Sequence, residues 1–168
     1  GNTGTVVKDG DLQISLNPSS PANMSSIPNN GVSRFGTVDF TAGAKDITIN
    51  TVSLKRGGLG SYTNFSSGGR IYFEVAGYRV SSRSTVSSDD TATLSFAPAL
   101  VVAAGKTVSV DLMAELVSAP VGTENHFMST SIDSSAATVN GSITTPTLRT
   151  ASYSVRTVAF TNQNVLTT

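Results

Sequence analysis

The feature that most constrains this chain is an alternation of apolar and polar residues that recurs from one end to the other. It is clearest in the segment 106–116, in which five apolar residues have the same parity: Val108, Val110, Leu112, Ala114 and Leu116. Alternate residues of a β-strand point to opposite faces, so a period of two places these side chains on one face. Each such segment is therefore predicted to be a strand that buries one side.

Segments with this pattern follow one another along the chain, separated by stretches rich in Gly, Ser, Asn and Pro. About nine or ten short strands are predicted, with apolar positions in 12–16, 38–42, 47–54, 71–80, 94–96, 106–116, 127–132, 139–143 and 153–160. The segments 18–31 and 55–70 are predicted to be loops. Many short strands with turn residues between them are typical of a sandwich. The fold class predicted is all-β: a single antiparallel β-sandwich, Ig-like or jelly-roll-like, with no significant helix.

Two segments depart from simple alternation. In 47–54 the apolar phase shifts by one residue between Ile49 and Val52, which an extra residue in a β-bulge produces. The segment 97–105 contains good helix formers, but it is short and includes Pro98. It is predicted to be a buried connection that leads into the next strand.

The composition excludes several classes of partner. Only 13% of the residues are charged, against roughly 25% in an ordinary soluble domain, and the net charge is zero. There is no basic run to neutralise phosphates, so no nucleic-acid or polybasic membrane contact is expected. The longest apolar run is far shorter than the roughly 20 residues that span a bilayer. The polar surface must come from hydroxyl residues, since the chain contains 25 Ser and 22 Thr.

The ends of the sequence and its lack of cysteine suggest the compartment. The chain has no Cys, and it begins at Gly1 without a recognisable leader. Both features fit a processed, exported protein that avoids stray thiols, although many cytosolic chains also lack Cys. A secreted, cell-surface location is therefore expected.

His126 is the single histidine, and it is the residue on which a catalytic hypothesis depends. A Ser-His-Asp triad needs it as the base, but no G-x-S-x-G elbow is present. A zinc site needs several Cys, His or carboxylate ligands at a recognisable spacing, which the sequence does not offer. His126 is expected to be an ordinary surface or strand histidine, and the chain is expected not to be an enzyme.

Two carboxylate pairs fall in predicted turns. Asp9 and Asp11 flank a glycine, and such a turn supplies the oxygen ligands that Ca²⁺ prefers. The rest of an EF-hand loop is missing, so the other interpretation is a turn that opens the following strand. Asp89 and Asp90 are interpreted in the same way, as the tip of a hairpin. Calcium at Asp9 and Asp11 is the sole cofactor considered.

Aromatic residues and sequons mark two further candidate surfaces. The chain has no Trp, and a sugar-stacking face would have to use Tyr62, Tyr72 and Tyr78. Tyr72 has the parity opposite to its buried neighbours and is expected to point outward. The alternative is packing at a sheet edge or against another subunit. Three N-x-S sequons mark residues whose glycosylation depends on the host: Asn23, Asn64 and Asn140.

Both ends of the chain have strand-like patterns, over 5–17 and 151–161. An open sandwich exposes strand edges, and one way to cover an edge is to receive a strand from a neighbouring subunit. The segment 1–8 is the candidate donor, with Val6 and Val7 as its apolar residues. Val158 and Phe160 are the candidate assembly residues at the other end. The alternative is that both ends pair within their own domain.

The order of these segments also carries a resemblance. The runs DGDLQISLNPSSPA at 9–22, VDFTAGAKDITINTVSLKRGGLGS at 38–61, LVVAAGKTVSVDLMAEL at 100–116 and GTENHFMSTSI at 122–132 resemble Ig-like modules of large bacterial and archaeal cell-surface proteins. The resemblance covers most of 9–145. It implies a β-sandwich used as a spacer, an adhesin segment or an assembly unit, with no catalytic residues.

Together these observations predict one β-sandwich domain over 9–161, an N-terminal extension over 1–8 and a tail over 162–168. The expected function is that of an extracellular structural subunit that assembles with copies of itself, by strand exchange, into a filament or array. The alternatives are a carbohydrate- or protein-binding module or spacer of a larger surface adhesin, a viral coat or spike subunit, and a hydrolase that uses His126.

Overall fold

The computed structural model describes residues 11–22, 25–66, 70–121, 125–131, 137–138, 143–144 and 153–156. Within these residues the chain forms twelve strands and one short 3₁₀ helix, in the order β1 (Leu12–Leu16), β2 (Ser25–Pro28), β3 (Gly31–Ala42), β4 (Ile47–Gly57), η1 (Tyr62–Phe65), β5 (Arg70–Val75), β6 (Tyr78–Arg79), β7 (Thr91–Val102), β8 (Thr107–Leu116), β9 (Asn125–Ser131), β10 (Ala137–Thr138), β11 (Ile143–Thr144) and β12 (Tyr153–Arg156).

The first sheet has the strand order β11-β1-β3-β8-β5-β6. Its centre is the long antiparallel pair β3–β8, in which Phe40 lies opposite Val108 and Val38 opposite Val110. The inward residues of β8 alternate as the sequence predicts, because Val110, Leu112, Ala114 and Leu116 are buried and the residues between them are not. β1 pairs antiparallel with β3 and parallel with the two residues of β11.

The second sheet is built around β4. β7 pairs with one edge of β4, and β9 and β10 pair with the other edge. β12 joins β9 antiparallel and β2 parallel. Pairing is therefore antiparallel throughout the described residues except at β1–β11 and β2–β12.

The two sheets enclose one hydrophobic core, to which β1, β3, β5 and β8 contribute from the first sheet and β2, β4, β7 and β9 from the second. Aromatic rings join the layers. Phe96 of the second sheet stacks on Phe73 at 5.4 Å between centroids and meets Phe40 edge-on at 6.3 Å. Two packed sheets around a shared core define a β-sandwich, which confirms the predicted fold class.

The pairing of β4 with β7 shifts register between Ile49 and Thr51, and the buried positions of β4 change phase there, from Ile49 to Val52. An irregularity is therefore present where the sequence predicts it, but the extra residues lie in β7 and not in β4. A second bulge, which the sequence pattern did not indicate, lies in β3 between Arg34 and Gly36.

The segment 97–105 is not the predicted buried connection. β7 continues through it as far as Val102, and Ala97, Pro98 and Val101 are exposed. Leu100 pairs with Ile49 and Ser95 with Thr51, so the four residues 96–99 lie opposite a single residue of β4. Proline is tolerated in a strand at such a bulge because no ladder hydrogen bond requires its missing N–H.

Two predicted loops also contain regular structure. The segment 18–31 includes β2, and the segment 55–70 includes the end of β4 and the helix η1. The residues 1–10 and 157–168 lie outside the described part of the chain. The predicted domain boundaries, and the strand-exchange residues Val6, Val7, Val158 and Phe160, therefore stay predictions.

The hairpin between β5 and β6 offers a test of turn chemistry. Val75 pairs with Tyr78, and the two residues between them both have positive φ, 50° at Ala76 and 84° at Gly77. This is the geometry of a type I′ turn. Asparagine is favoured over alanine at its first position, because asparagine adopts the left-handed backbone conformation more readily. The Ala76→Asn variant should raise the free energy of unfolding by about 0.5–1 kcal/mol in urea denaturation.

The control for this prediction is Ala104→Asn. Ala104 is also an exposed turn alanine, but it is not among the described residues with positive φ. No gain in stability is expected there. Equal gains at Ala76 and Ala104 would contradict the turn argument.

Candidate functional site

The side chain of His126 lies inside the sandwich, with 1% of its surface exposed. It belongs to β9, close to the position where β9 pairs with the end of β4 through Phe127 and Gly57. The predicted strand location is confirmed, but the ring is buried. Phe65 of the helix η1 packs edge-on against it, with ring centroids 5.1 Å apart.

A buried arginine holds one side of the histidine ring. Arg56 is 6% exposed, and its Nη1 lies 3.0 Å from Nδ1 of His126 and 2.9 Å from the carbonyl oxygen of Gly57. Its Nε donates to Oδ1 of Asp90 at 2.8 Å. The backbone N–H of Arg56 also donates to the carbonyl of Asp90, at 2.7 Å. The guanidinium therefore links the end of β4, the turn before β7 and the strand β9.

These contacts fix the tautomer of the histidine. A guanidinium only donates hydrogen bonds, so Nδ1 of His126 must accept one, and the neutral ring carries its proton on Nε2. The Nδ2 atom of Asn64 is placed 3.1 Å from Nε2. Two donors cannot form a hydrogen bond with each other, so we assign the flipped amide, in which the Asn64 oxygen accepts the proton of Nε2. We refer to Asp90, Arg56, His126 and Asn64 as the His126 network.

The environment of the ring favours its neutral form. Burial, and next the nearby Arg56 cation, lower the pKa of His126 from 6.5 to about 4, and the Asp90 carboxylate offsets part of this effect. A buried, neutral histidine with hydrogen bonds to both ring nitrogens stabilises the fold by linking the segments that contact it. It is poorly prepared to act as a general base, because a base needs a nitrogen that faces the proton to be removed.

This pKa predicts a specific acid sensitivity. The unfolded chain binds a proton at His126 below about pH 6.5, whereas the folded chain does so only below about pH 4. The free energy of unfolding should therefore be constant above neutrality and fall by about 2–3 kcal/mol as the pH is lowered from 6.5 to 4. Urea denaturation across this range measures the effect.

The control is His126→Gln, whose stability should depend much less on pH in that window. Asp89 does not contribute to the pH dependence between 6.5 and 4, because hydrogen bonds from Ser87 and Thr91 lower the pKa of its carboxyl to about 2. The stability that Asp89 contributes is lost only below about pH 4. A wild-type protein equally stable at pH 6.5 and pH 4 would contradict the assignment.

Gly60 lies directly against the ring of His126. A Cβ at this position would lie 2.3 Å from Cε1 and 2.6 Å from Nε2 of the ring. Since Arg56 and Asn64 hold the ring on both sides, it cannot move away easily. The chain therefore needs glycine here to let the 55–70 segment approach β9.

A cavity of about 220 Å³ lies beside the network. Its lining is formed by Gly60, Ser61, Thr63, Asn64, Pro120, Val121 and His126. Ser61 caps the helix η1 by accepting a hydrogen bond from the N–H of Thr63. It also accepts one from the hydroxyl of Thr63. The cavity wall is thus polar on the η1 side and apolar at Pro120 and Val121.

The structure does not bring a serine or threonine hydroxyl to His126 in the described residues, where its ring nitrogens contact Arg56 and Asn64. The arrangement differs from a Ser-His-Asp triad, in which the ring bonds to a hydroxyl on one side and to a carboxylate on the other. The acid in the network, Asp90, reaches the ring only through Arg56.

The aspartates of the candidate calcium turn are partly described. Asp11 is 7% exposed, and its carbonyl oxygen accepts a hydrogen bond from the N–H of Gly43. Asp9 lies outside the described residues. Among the residues that are described, no three Asp, Glu, His or Cys side chains are grouped so that they could hold a metal ion. Calcium at Asp9 and Asp11 stays a prediction.

Asp89 and Asp90 lie in a turn, as expected, and they have different surroundings. Asp90 has φ 66°, and its N–H donates to the carbonyl of Ser87. The Asp89 carboxylate accepts hydrogen bonds from the hydroxyls of Ser87 and Thr91 within the turn. Only Asp90 reaches the buried Arg56.

The three candidate stacking tyrosines have different exposure. Tyr78 is 78% exposed, whereas Tyr72 is 6% exposed, and Tyr62 packs partly against the core. Tyr72 was expected to point outward, but it is covered, with the guanidinium of Arg83 5.6 Å from its ring centroid. Burial, assisted by Glu74 and Glu115, raises the pKa of its hydroxyl. Sugar stacking on these residues stays a prediction.

Of the three sequons, only Asn64 is described, since Asn23 and Asn140 lie outside the described residues. The Asn64 side chain is partly buried and bonded to His126.

Sequence reasoning missed Arg56, Asp90 and Asn64 as partners of the histidine. One signal for Arg56 was present, because Val52, Leu54 and Arg56 have the same parity and extension of the strand would have turned Arg56 inward. The contacts with Asp90 and His126 span 34 and 70 residues of sequence. No local pattern indicates such distant partners.

No known protein family matches the chain, and no curated protein sequence matches it. Similar solved structures include the sporulation control protein Spo0M from Bacillus subtilis, at 14% identity and a TM-score of 0.39 over 93% of this chain and 53% of that one. A family 123 glycoside hydrolase from Clostridium perfringens matches at 10% identity and a TM-score of 0.43, over 89% of this chain and 28% of that one.

A third similar structure is a PapD-like domain of human CEP192, at 11% identity and a TM-score of 0.33 over 94% of this chain and 92% of that one. The chain spans about half the length of Spo0M and a smaller part of the hydrolase. Similarities this distant carry no argument about activity or partners. In the described part of the chain, no helix is long and apolar enough to cross a bilayer.

Proposed function

We propose that this chain is a non-enzymatic structural module of a secreted, cell-surface assembly, and that it associates with copies of itself by adding a strand to an open sheet edge. The low charge content and the absence of cysteine support an exported protein. The internal use of the single histidine, bonded to Arg56 and Asn64, supports a structural role for the residue on which catalysis would depend.

The observation that carries the proposal is the position of β1 near the margin of the first sheet, where its outer neighbour β11 has two described residues. On one side β1 pairs with β3 over its whole length. On the other side, among the described residues, β11 pairs only with Leu12 and Gln13. Residues 145–152, which follow β11, lie outside the described part of the chain. A strand from another copy that pairs at this margin would add main-chain hydrogen bonds.

The other described margins are less suitable for strand addition. β6 has two residues, β2 has four and ends at Pro28, and the outer margin of β7 contains Pro98. Short edge strands and proline are the usual devices that prevent edge-to-edge pairing. The proposed donor is the segment 1–8, whose Val6 and Val7 are its apolar residues. A head-to-tail exchange of this kind does not close and yields a filament.

A pair of charge variants tests this function. The double variant Val6→Asp/Val7→Asp should abolish association, because a carboxylate cannot be buried at low cost where the valine side chains pack. The matched control is Asn2→Asp/Thr3→Asp, which adds the same charge to the same segment at polar positions. Light scattering after size-exclusion chromatography should give large species for the wild type and the control, and monomer for the valine variant.

Monomer in all three proteins would overturn self-assembly, and large species in all three would overturn the role of the valines. The second candidate function is a carbohydrate- or protein-binding module or spacer of a larger surface protein. The 78% exposure of Tyr78 favours it, since an exposed aromatic ring offers a stacking surface. Retention on immobilised polysaccharide that is lost in Tyr78→Ala would support this candidate.

A further inference from the structure

The cavity beside His126 has no role in the proposed strand exchange, and its lining has a definite chemical character. One side carries the hydroxyls of Ser61 and Thr63 and the amide of Asn64, and the other side carries Pro120 and Val121. None of the described residues that line it is charged. Arg56, the cation of the network, is absent from the lining and is paired with Asp90. The described part of the lining therefore offers no counter-charge to an anionic or cationic ligand.

The lining contains both hydrogen-bond donors and hydrogen-bond acceptors. The tautomer of His126 commits the oxygen of Asn64 to the ring, so the Asn64 NH₂ group is turned away from Nε2 with two protons to donate. Ser61 Oγ accepts from both the N–H and the hydroxyl of Thr63, and its own proton is directed elsewhere. Thr63 Oγ1 donates to Ser61 and has lone pairs left to accept.

From these contacts we infer that the cavity is a binding site for a neutral polyhydroxylated ligand, the size of a single sugar ring. Hydroxyl groups of such a ligand accept from Asn64 and Ser61 and donate to Thr63. Its C–H face packs on Pro120 and Val121, as pockets of this kind combine apolar walls with a few polar groups. The volume of about 220 Å³ lies below the range of roughly 300–1,000 Å³ for drug-sized ligands, which fits a single sugar ring.

This inference is independent of the proposed assembly. It also differs from the tyrosine surface, because Tyr62, Tyr72 and Tyr78 are absent from the cavity lining. The site brings together the residues after β4 and the residues after β8, which are far apart in sequence. Since Asn64 belongs to the His126 network, occupation of the cavity should be visible at the histidine ring.

The experiment is a titration of the ¹⁵N-labelled full chain, monitored by NMR, with glucose, galactose, mannose and N-acetylglucosamine, each used alone. At least one sugar should shift the resonances of Gly60, Asn64 and the His126 ring. The expected dissociation constant is on the order of 1 mM, the scale that ligand efficiency allows for about a dozen heavy atoms.

Two arginine variants at exposed valines distinguish binding in the cavity from binding elsewhere on the surface. Val121→Arg fills the cavity mouth from a position that is 51% exposed and should weaken binding at least about tenfold. Val101→Arg, at a position 55% exposed and outside the lining, should leave binding unchanged. Thr63→Val, which removes one hydroxyl with little change of shape, should weaken binding without unfolding the protein.

No shift with any of the four sugars at about 50-fold the expected dissociation constant would overturn the inference. Shifts confined to Tyr78 and its neighbours would also overturn it, and would assign sugar binding to the exposed aromatic surface. Equal loss of binding in Val121→Arg and Val101→Arg would show that the effect comes from added charge and not from the cavity.

Discussion

Replacing Phe96 with alanine should lower the free energy of unfolding by about 4 kcal/mol. Phe96 is 6% exposed and is the ring at which the two sheets meet. It stacks on Phe73 with an interplanar angle of 16° and contacts Phe40 edge-on at 86°. The alanine variant lacks the free energy gained by burying a large apolar side chain, and it lacks both ring contacts. The cavity left between the sheets cannot close, because β3, β5 and β7 are each held in a ladder.

Urea denaturation followed by circular dichroism measures this loss. Tyr78→Ala is the matched control, because it removes a ring that is 78% exposed and should change stability by less than about 0.5 kcal/mol. Phe96→Leu should recover most of the loss, since leucine refills much of the volume. Equal effects at Phe96 and Tyr78 would mean that the sheets do not pack through Phe96.

The second large effect is expected at Asp90. Asp90→Asn keeps a side chain of the same shape at a position whose φ of 66° asparagine tolerates, but it removes the negative charge. The side chain of Arg56 is 5% exposed and its Nε bonds to Asp90 Oδ1 at 2.8 Å. A buried guanidinium without a carboxylate partner costs about 3 kcal/mol. The 32% exposure of the Asp90 side chain places the loss at the lower end of the range for buried pairs.

The neighbouring residue supplies the control. Asp89→Asn removes the same charge from the same turn, but its carboxylate bonds to hydroxyls and backbone N–H groups within the exposed turn. Its effect should be much smaller than that of Asp90→Asn, because solvent screens the exposed carboxylate. Asp90→Asn should also lower the pKa of His126 further, because the carboxylate favours protonation of the ring. Similar losses of stability in the two variants would contradict the buried pair.

The long strands of the fold could be predicted because their side chains obey one local rule. β1 and β8 alternate without interruption, and the register shift between β4 and β7 appeared in the sequence as a change of phase between Ile49 and Val52. β2 could not be predicted, since its four residues include Pro28 and it is defined by parallel pairing with β12 more than 120 residues later. The continuation of β7 past Pro98 depended on a bulge opposite β4, which is a property of the pair.

The same distinction applies to the site. The location of His126 in a strand was predictable, but the burial of its side chain was not. Arg56 and Asp90, which act on the pKa of the ring in addition to its burial, are brought to it by the pairing of β4 with β9 and by the turn before β7. Tyr72 had the parity of an outward residue, and its burial results from the covering side chain of Arg83. Side chains that cover one another from distant segments leave no periodic signal in the sequence.

The central claim, self-association through an N-terminal donor strand, is tested most directly by negative-stain electron microscopy of the full chain and of a chain that lacks residues 1–8. We expect filaments from the full chain and separate particles of uniform size from the shortened one. Filaments of equal length and number from both chains would contradict the donor strand. Separate particles from both would contradict self-association itself and would favour a spacer or ligand-binding module.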